Sequence, residues 1–405
     1  MIGRRTTIAS AAAASLLPLA RPLAQTRRPP KIGVLTDMTS LYADLGGPGS
    51  VLAAHMAVEE LLAAHPGPAP EIVFGDHLNK PDVGAAIARF WFDRDGVDAV
   101  ADVPNSAVAL AVNNIVRERN KVFLISGSSS SDLTGKACSP NSVAWAYDTY
   151  MLSAGTAKGV LAAGGHTWFD IVADYAFGHT MQRDVTAIVE SGGGKMIKAV
   201  LAPLGTADFS AFLIEAQSSK AEVVGLVNAG GDTINSIKQA VEFGIPAGGQ
   251  QLVALVLYIT DVHSLGLEVA QGLRFTTGFY WNLNAMTAGW GRKFAARNGG
   301  KFPTQVQAGV YGAVLHYLKA SAQLPNVEDG RAVVAAMKAM PTDDQAFGKC
   351  IVREDGRMMH DAYLCQVKKP AELTQPWDYY HVVRTIPAAQ AWRPLADGNC
   401  PMVRI

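Results

Sequence analysis

Five of the six positions from Ser126 to Ser131 are serine: the stretch KVFLISGSSSSDLTG places Ser126, Ser128, Ser129, Ser130 and Ser131 between an apolar run and Asp132. Hydroxyls and backbone N–H groups collect where a strand ends, and a helix expected to start at Asp132 adds the positive end of its dipole. Such a turn suits a carboxylate. Without a ligand it reads as a polar loop with Asp132 capping a helix. A second polar turn, Asn105 and Ser106, follows the apolar run VDAVADV and precedes a helical pattern, where capping the helix and touching a ligand are compatible roles.

Other chemistries lack their residues. Gly47 and Gly49 come about a dozen residues after the first strand and Leu52 stands where a dinucleotide fingerprint needs its third glycine. No phosphate loop, nucleophile elbow or HExxH histidine pair occurs, and no two cysteines stand two to four apart. We expect no catalytic residue, metal or cofactor. Asp and Glu number 35 and so do Lys and Arg, so no basic surface argues for nucleic acid.

The elements that must position these turns follow one grammar. KIGVL (31–35) is a strand, VLAAHMAVEELLAA (51–64) a helix, EIVFGD a strand, DVGAAIARFWF a helix, and VDAVADV, AVALAVNNIVRER and KVFLISG continue the alternation. A second series starts near residue 149 with a helix, HTWFDIVADY, another helix, KMIKAVLAP, FSAFLIEAQSS, AEVVGLVNA, TINSIKQAVEFG and QLVALVL. Strands this apolar need cover on both faces, the mark of an α/β fold with mostly parallel sheets. The expected division is an export signal over 1–25, a first lobe from 31–148 plus 277–350, and a second from 149–276 plus 351–405, including a wrapping segment PWDYYHVVRTIPAAQAWRPL. Two similar lobes imply a cleft. Ligands of such sheets lie beyond the strands' carboxyl ends, so the long loop after the first strand faces it.

With 405 residues, 49% hydrophobic and 17% charged, the chain can bury two cores. Arg4 and Arg5 precede an apolar run from Ile8 to about Ala20, too short to span a bilayer as a stable helix, which is the layout of an export signal. Twin-arginine and general export both remain open, with Ala24 a cleavage candidate. A periplasmic location is expected. In such a compartment four cysteines permit two disulfides. Cys138 and Cys400 both lie beside proline in loop-like sequence and are the expected pair, while Cys350 and Cys365 flank the turn REDGR.

Taken in order, the segment from the first strand through SLYADLG to AVEEL, then VFLISGSSSSDLTG, YDTY, ADYAFGHTM and TADFSAFLIEAQSSKAEVV, resembles the periplasmic solute-binding proteins of branched-chain amino-acid ABC importers. The resemblance implies a type I periplasmic binding fold of two Rossmann-like lobes, crossed three times by the chain and closing on a small ligand. It implies that Ser128, Ser129 and Ser130 grip the ligand's carboxylate, that Asn105 and Ser106 face it, and that Tyr42 lines the cleft. From the second lobe it implies an aromatic in the turn ADYAFGHT, with Phe177 the first match and Tyr175 the second, and a contribution from Asn228 and the loop to Asp232.

One departure bears on the ligand. Amino-acid binders of this family place an acid after the strand that here reads QLVALVLYITDV, to pair the ligand's ammonium; Leu257 or Tyr258 stands there, Asp261 comes late, and Asp148 or Asp232 is left as a substitute. A buried ammonium without a carboxylate is costly. The expected ligand is therefore an aromatic or keto acid, or a branched-chain or hydrophobic amino acid if one of those acids serves. The expected protein is a monomer that delivers ligand to the membrane permease subunits of an importer driven by cytoplasmic ATPases. A periplasmic sensor of the same fold, or a binder of short amides or urea, is the alternative.

Overall fold

The central apolar strands are flanked by helices that cover them, and the covering sorts the chain into two units. The computed structural model describes residues 28–404; the export-signal segment lies outside the described residues. Strands β1 (Lys31–Thr36), β2 (Glu71–Asp76), β3 (Ala99–Asp102), β4 (Val122–Ile125) and β5 (Ser142–Ala144) form a parallel sheet of order β2-β1-β3-β4-β5. Helices α1 (Gly47–Ala64), α2 (Pro81–Phe90) and α3 (Ser106–Glu118) connect them. Helix α4 (Thr149–Ala162) opens the second unit, a parallel sheet β7-β6-β8-β9 built from β6 (Thr167–Ala173), β7 (Lys195–Ala202), β8 (Val223–Val227) and β9 (Gln251–Ala254). Its connections are α5 (Ala176–Ser191), α6 (Ser210–Ser218) and α7 (Gly231–Glu242), followed by α8 (Ile259–Leu265) and α9 (Leu267–Ala270).

After β10 (Arg274–Thr277) the chain returns to the first sheet through α10 (Ala285–Arg297), α11 (Gln305–Ser321) and α12 (Gly330–Ala339); α11 runs along α1 and packs over β3 and β4. The close approach is visible at Gly49, where a Cβ would stand 2.2 Å from Gln307 Nε2. A short hairpin of β11 (Ile351–Val352) and β12 (Met358–Met359) then leads to β13 (Ala362–Val367) and β14 (Tyr380–Ile386). These two join β10 in an antiparallel sheet beside α4, and α13 (Ala388–Ala391) follows.

The chain thus passes between the units at residues 145–148, 278–284 and 340–361, and Arg357 knots the first passage to the third. Its buried guanidinium donates from Nη1 to the carbonyls of Trp145 (3.2 Å) and Tyr147 (3.3 Å) and from Nη2 to the Asp148 carboxylate (3.1 Å). Three sequence expectations change. β5, SVA, is too short to carry a periodic signal. The helix expected at Asp132 is a single 3-10 turn, Ser131–Thr134, stopped at Gly135. Part of the wrapping C-terminal segment is strand β14, where no strand was expected.

One buried acid makes stability depend on pH. Asp170 lies fully buried in β6, opposite Gly225, whose absent Cβ would stand 2.1 Å from Asp170 Oδ1. Burial pushes its carboxyl up to about 8, opposed by the nearby Gln182 side chain. Burial likewise raises Asp102 and Asp261 to about 7. An acid raised on folding binds its proton more tightly in the native state, so stability is full below the unfolded value near 4 and falls as pH rises through the folded value. We expect Asp170→Asn, which keeps the side chain's size and cannot ionise, to match the native protein in urea unfolding at pH 5 and to exceed it by ~1–3 kcal/mol at pH 8.5.

Candidate functional site

The loop after β1 is shaped by one carboxylate. Asp37, buried, accepts from the backbone N–H of Thr39 (3.2 Å), Ser40 (2.9 Å) and Tyr42 (2.9 Å), from Ser40 Oγ (2.7 Å) and from Asn79 Nδ2 (2.7 Å). Burial pushes its pKa up, but these hydrogen bonds outweigh it and leave the group below its usual value. The loop so fixed faces the second unit. Leu41 O accepts the N–H of Gly231 (3.3 Å), and Tyr42 Oη lies 2.6 Å from Tyr175 Oη. Gly230 has φ of +58°, and a Cβ there would come within 2.5 Å of Leu41 O, so the contact requires glycine.

The serine turn sits at the carboxyl ends of β3 and β4, between that loop and α5. Ser128 Oγ donates to Ser106 Oγ (3.1 Å), which leaves the Ser106 hydrogen free to donate elsewhere. Ser130 Oγ pairs with Thr180 Oγ1 of α5 (3.2 Å), and Ser131 is held by Thr149 Oγ1 at its N–H (3.1 Å) and by Asp184 at its hydroxyl (2.7 Å). Arg183 adds an ion pair to Asp132 at 2.9 Å. Among the described residues, the backbone N–H groups of Ser128, Ser129 and Ser130 meet no acceptor, although the three residues are at most 4% exposed. Successive unpaired N–H groups in a turn form an anion-binding concavity. The 3-10 turn Ser131–Thr134 is too short to supply the helix dipole expected at Asp132.

A second chain of hydroxyls crosses the cleft. Tyr147 Oη donates to Gly127 O (2.5 Å), and since a phenol has one hydrogen, Tyr258 must be the donor in the 2.8 Å contact with Tyr147. Burial raises all four tyrosines, Tyr42, Tyr147, Tyr175 and Tyr258, so they stay neutral donors. In the Tyr42–Tyr175 pair two hydrogens serve one bond. One hydroxyl is left to donate.

Several expected site residues are otherwise engaged. Asp148 accepts from Met151 N–H as the cap of α4 and binds Arg357, so pairing a ligand ammonium would strip a buried guanidinium of its partner. Asp261 accepts from the N–H of Tyr258. Asn228 spends its amide on Ser236 and Thr233, and so holds the loop to Asp232. The Asn105 carbonyl oxygen caps α3 through the N–H groups of Ala107 and Val108. Phe177, in the first turn of α5, is 3% exposed and packs in the core of the second unit; Tyr175, just before the helix, is the aromatic that reaches Tyr42. The Tyr258 hydroxyl hydrogen is used on Tyr147. Asp232 differs: Oδ2 accepts from Gly205 N–H (3.0 Å), Oδ1 has no partner, and burial raises the group to about 6.

Sequence reasoning missed Asp102. It ends β3 with φ of +80°, followed by Val103 at +61°, and its buried carboxyl is pushed up by burial, with the neighbouring Ser50 and Thr36 hydroxyls opposing the rise. It is packed under the serine turn, for a Cβ on Gly127 would stand 2.3 Å from its Oδ1. Non-glycine residues in this backbone region are strained; the one available signal was an acid inside an apolar strand. Cys138 and Cys400 form a disulfide, whereas Cys350 and Cys365 are free. The second pairing fails because Cys365 is buried in β13, paired with Phe275 and Val382, while Cys350 Sγ donates to Phe347 O.

The contacts between the loop after β1 and the second unit can be removed singly. Tyr175→Phe leaves the Tyr42 hydroxyl buried without its partner and should weaken ligand binding about tenfold, while Gly230→Ala should weaken it further by keeping Leu41 from its place. Titration calorimetry against the same ligand checks both; unchanged affinity in both variants would separate these contacts from binding.

A sequence profile described as "Periplasmic binding protein" matches residues 29–372. A periplasmic binding protein of Burkholderia mallei is 44% identical, with a TM-score of 0.90 over 93% of this chain and 99% of that one. A branched chain amino acid ABC transporter periplasmic ligand-binding protein of Burkholderia xenovorans is 39% identical, with a TM-score of 0.81 over 92% and 99%. A Leu/Ile/Val-binding protein homolog of Brucella melitensis is 27% identical over 186 residues, 45% of this chain and 47% of that protein, so the chain spans about half the length of the curated relatives it matches. With its two parallel-sheet units and the cleft between them, the chain belongs to the periplasmic binding protein family.

Proposed function

We propose that this protein is the extracytoplasmic substrate-binding component of an ABC importer and that it captures a small carboxylate by closing two lobes around it. The observation that carries the reading is the run of unpaired N–H groups at Ser128, Ser129 and Ser130, buried beside the free Ser106 hydrogen and the Tyr42–Tyr175 pair. A carboxylate accepts at several positions and donates none, so it satisfies donors that would otherwise be buried unpaired. Ligand binds first to the N–H groups of the first lobe; the second lobe then rotates about the passages that join them and brings Tyr175, Thr180 and Gly231 into contact. The closed form docks on the membrane subunits of the importer.

An aromatic or keto acid fits best, because Asp148 and Asp261 are committed to Arg357 and to the N–H of Tyr258. A second reading, a hydrophobic amino acid, is favoured by one observation: Asp232 Oδ1 is buried without a partner, and its charge acts on Tyr42 and Tyr175. The name of the Burkholderia xenovorans relative points the same way.

Melting temperature against a panel of aromatic acids, keto acids, branched-chain amino acids, short amides and urea decides between them, after unfolding and refolding to strip carried ligand. A ligand at 100 times its Kd adds about 2.7 kcal/mol. We expect stabilisation by aromatic or keto acids that survives in Asp232→Asn. Stabilisation by leucine or valine that Asp232→Asn abolishes would establish the second reading, and a response to amides or urea but to no carboxylate would overturn both.

A further inference from the structure

The C-terminal segment makes a fourth passage between the lobes. From the end of β14, beside α4, residues 387–400 run back to the first lobe and are fixed at each step. Trp392 Nε1 donates to His360 O (2.8 Å), with the Arg357 guanidinium 4.5 Å over its ring. Arg353 Nη1 donates to Arg393 O (3.0 Å), Arg393 Nη2 donates to Ser131 O (2.8 Å), and Cys400 is bonded to Cys138, 262 residues earlier. The strap lies flush on the turn it reaches: a Cβ on Gly135 would stand 2.6 Å from both Arg393 Nη2 and Gly398 O.

Its end point is the exit of the ligand turn. Ser131 directly follows the three unpaired N–H groups. Keeping three successive buried N–H groups without an internal acceptor does not arise from local hydrogen bonding, because the turn has no regular ladder to order it. It must be held from outside. On one side α5 and Thr149 hold Ser131 through its hydroxyl and N–H; on the other, Arg393 holds its carbonyl, and the disulfide keeps the strap from leaving.

We propose that the strap is a positioning element for ligand binding, with Arg393 the positioning residue and Cys138–Cys400 the bond that keeps it seated. Binding is tighter because the turn is ordered before ligand arrives. The affinity part of this proposal rests on the carboxylate reading above. The ordering part does not.

Three variants test it: Arg393→Met, Arg393→Lys, and the double substitution of Cys138→Ser with Cys400→Ser. In ligand-free protein, hydrogen exchange at the amides of Ser131, Leu133 and Gly135 should be about tenfold faster in Arg393→Met and in the double variant, with exchange in β1, β3 and β4 unchanged. Affinity for whichever carboxylate stabilises the native protein should fall about tenfold in Arg393→Met, and Arg393→Lys, which retains a donor, should recover most of it. Unchanged exchange at these amides in folded Arg393→Met overturns the proposal. Should the double variant not fold, Arg393→Met, with its disulfide intact, decides. Should no carboxylate bind, the carboxylate reading fails while the exchange result still stands or falls alone.

Discussion

Buried polar groups must find partners, and the closed cleft meets that requirement largely with neutral hydroxyls. Tyr42 with Tyr175 and Ser130 with Thr180 join groups that lie on different sides of it, and Tyr258 with Tyr147 ties the second unit to the first passage. A neutral pair gains about 0.5–1.5 kcal/mol net when made and forfeits little when both groups return to water. Such contacts hold a closed form without locking it. The Arg183–Asp132 ion pair, whose arginine side chain is 46% exposed, is the kind of contact that solvent screens. The N–H groups of Ser128, Ser129 and Ser130 are the exception to this pairing, and under the proposed function they are what makes closure conditional on a ligand that can accept.

Much of this architecture was legible because it rests on local rules. Alternating apolar strands and helical runs predicted both parallel sheets, and EIVFGD falls on β2 without a residue's difference. The loop after β1 and the serine turn were conspicuous because polar residues there interrupt an apolar strand–helix unit, and strand polarity alone points both towards the cleft.

The remainder depended on distant partners. Nothing near Asp148 announces that Arg357, 209 positions later, occupies its carboxylate. At Tyr175 and Phe177 the outcome turned on one boundary: α5 starts at Ala176, which turns Phe177 into the core and leaves Tyr175 in extended backbone facing Tyr42. Asp102 went unnoticed because its positive φ and its packing under the serine turn leave no mark in the local sequence. The helix expected at Asp132 shrank to one turn because Gly135 ends it and the strap packs against it.

The central claim is that two lobes close on a ligand held by unpaired N–H groups. Small-angle scattering of the stripped protein, with and without a saturating ligand chosen by its thermal shift, tests it most directly. The account predicts a smaller radius of gyration with ligand and a liganded curve matching the closed structure described above. Superimposable curves with a tightly bound ligand would contradict it.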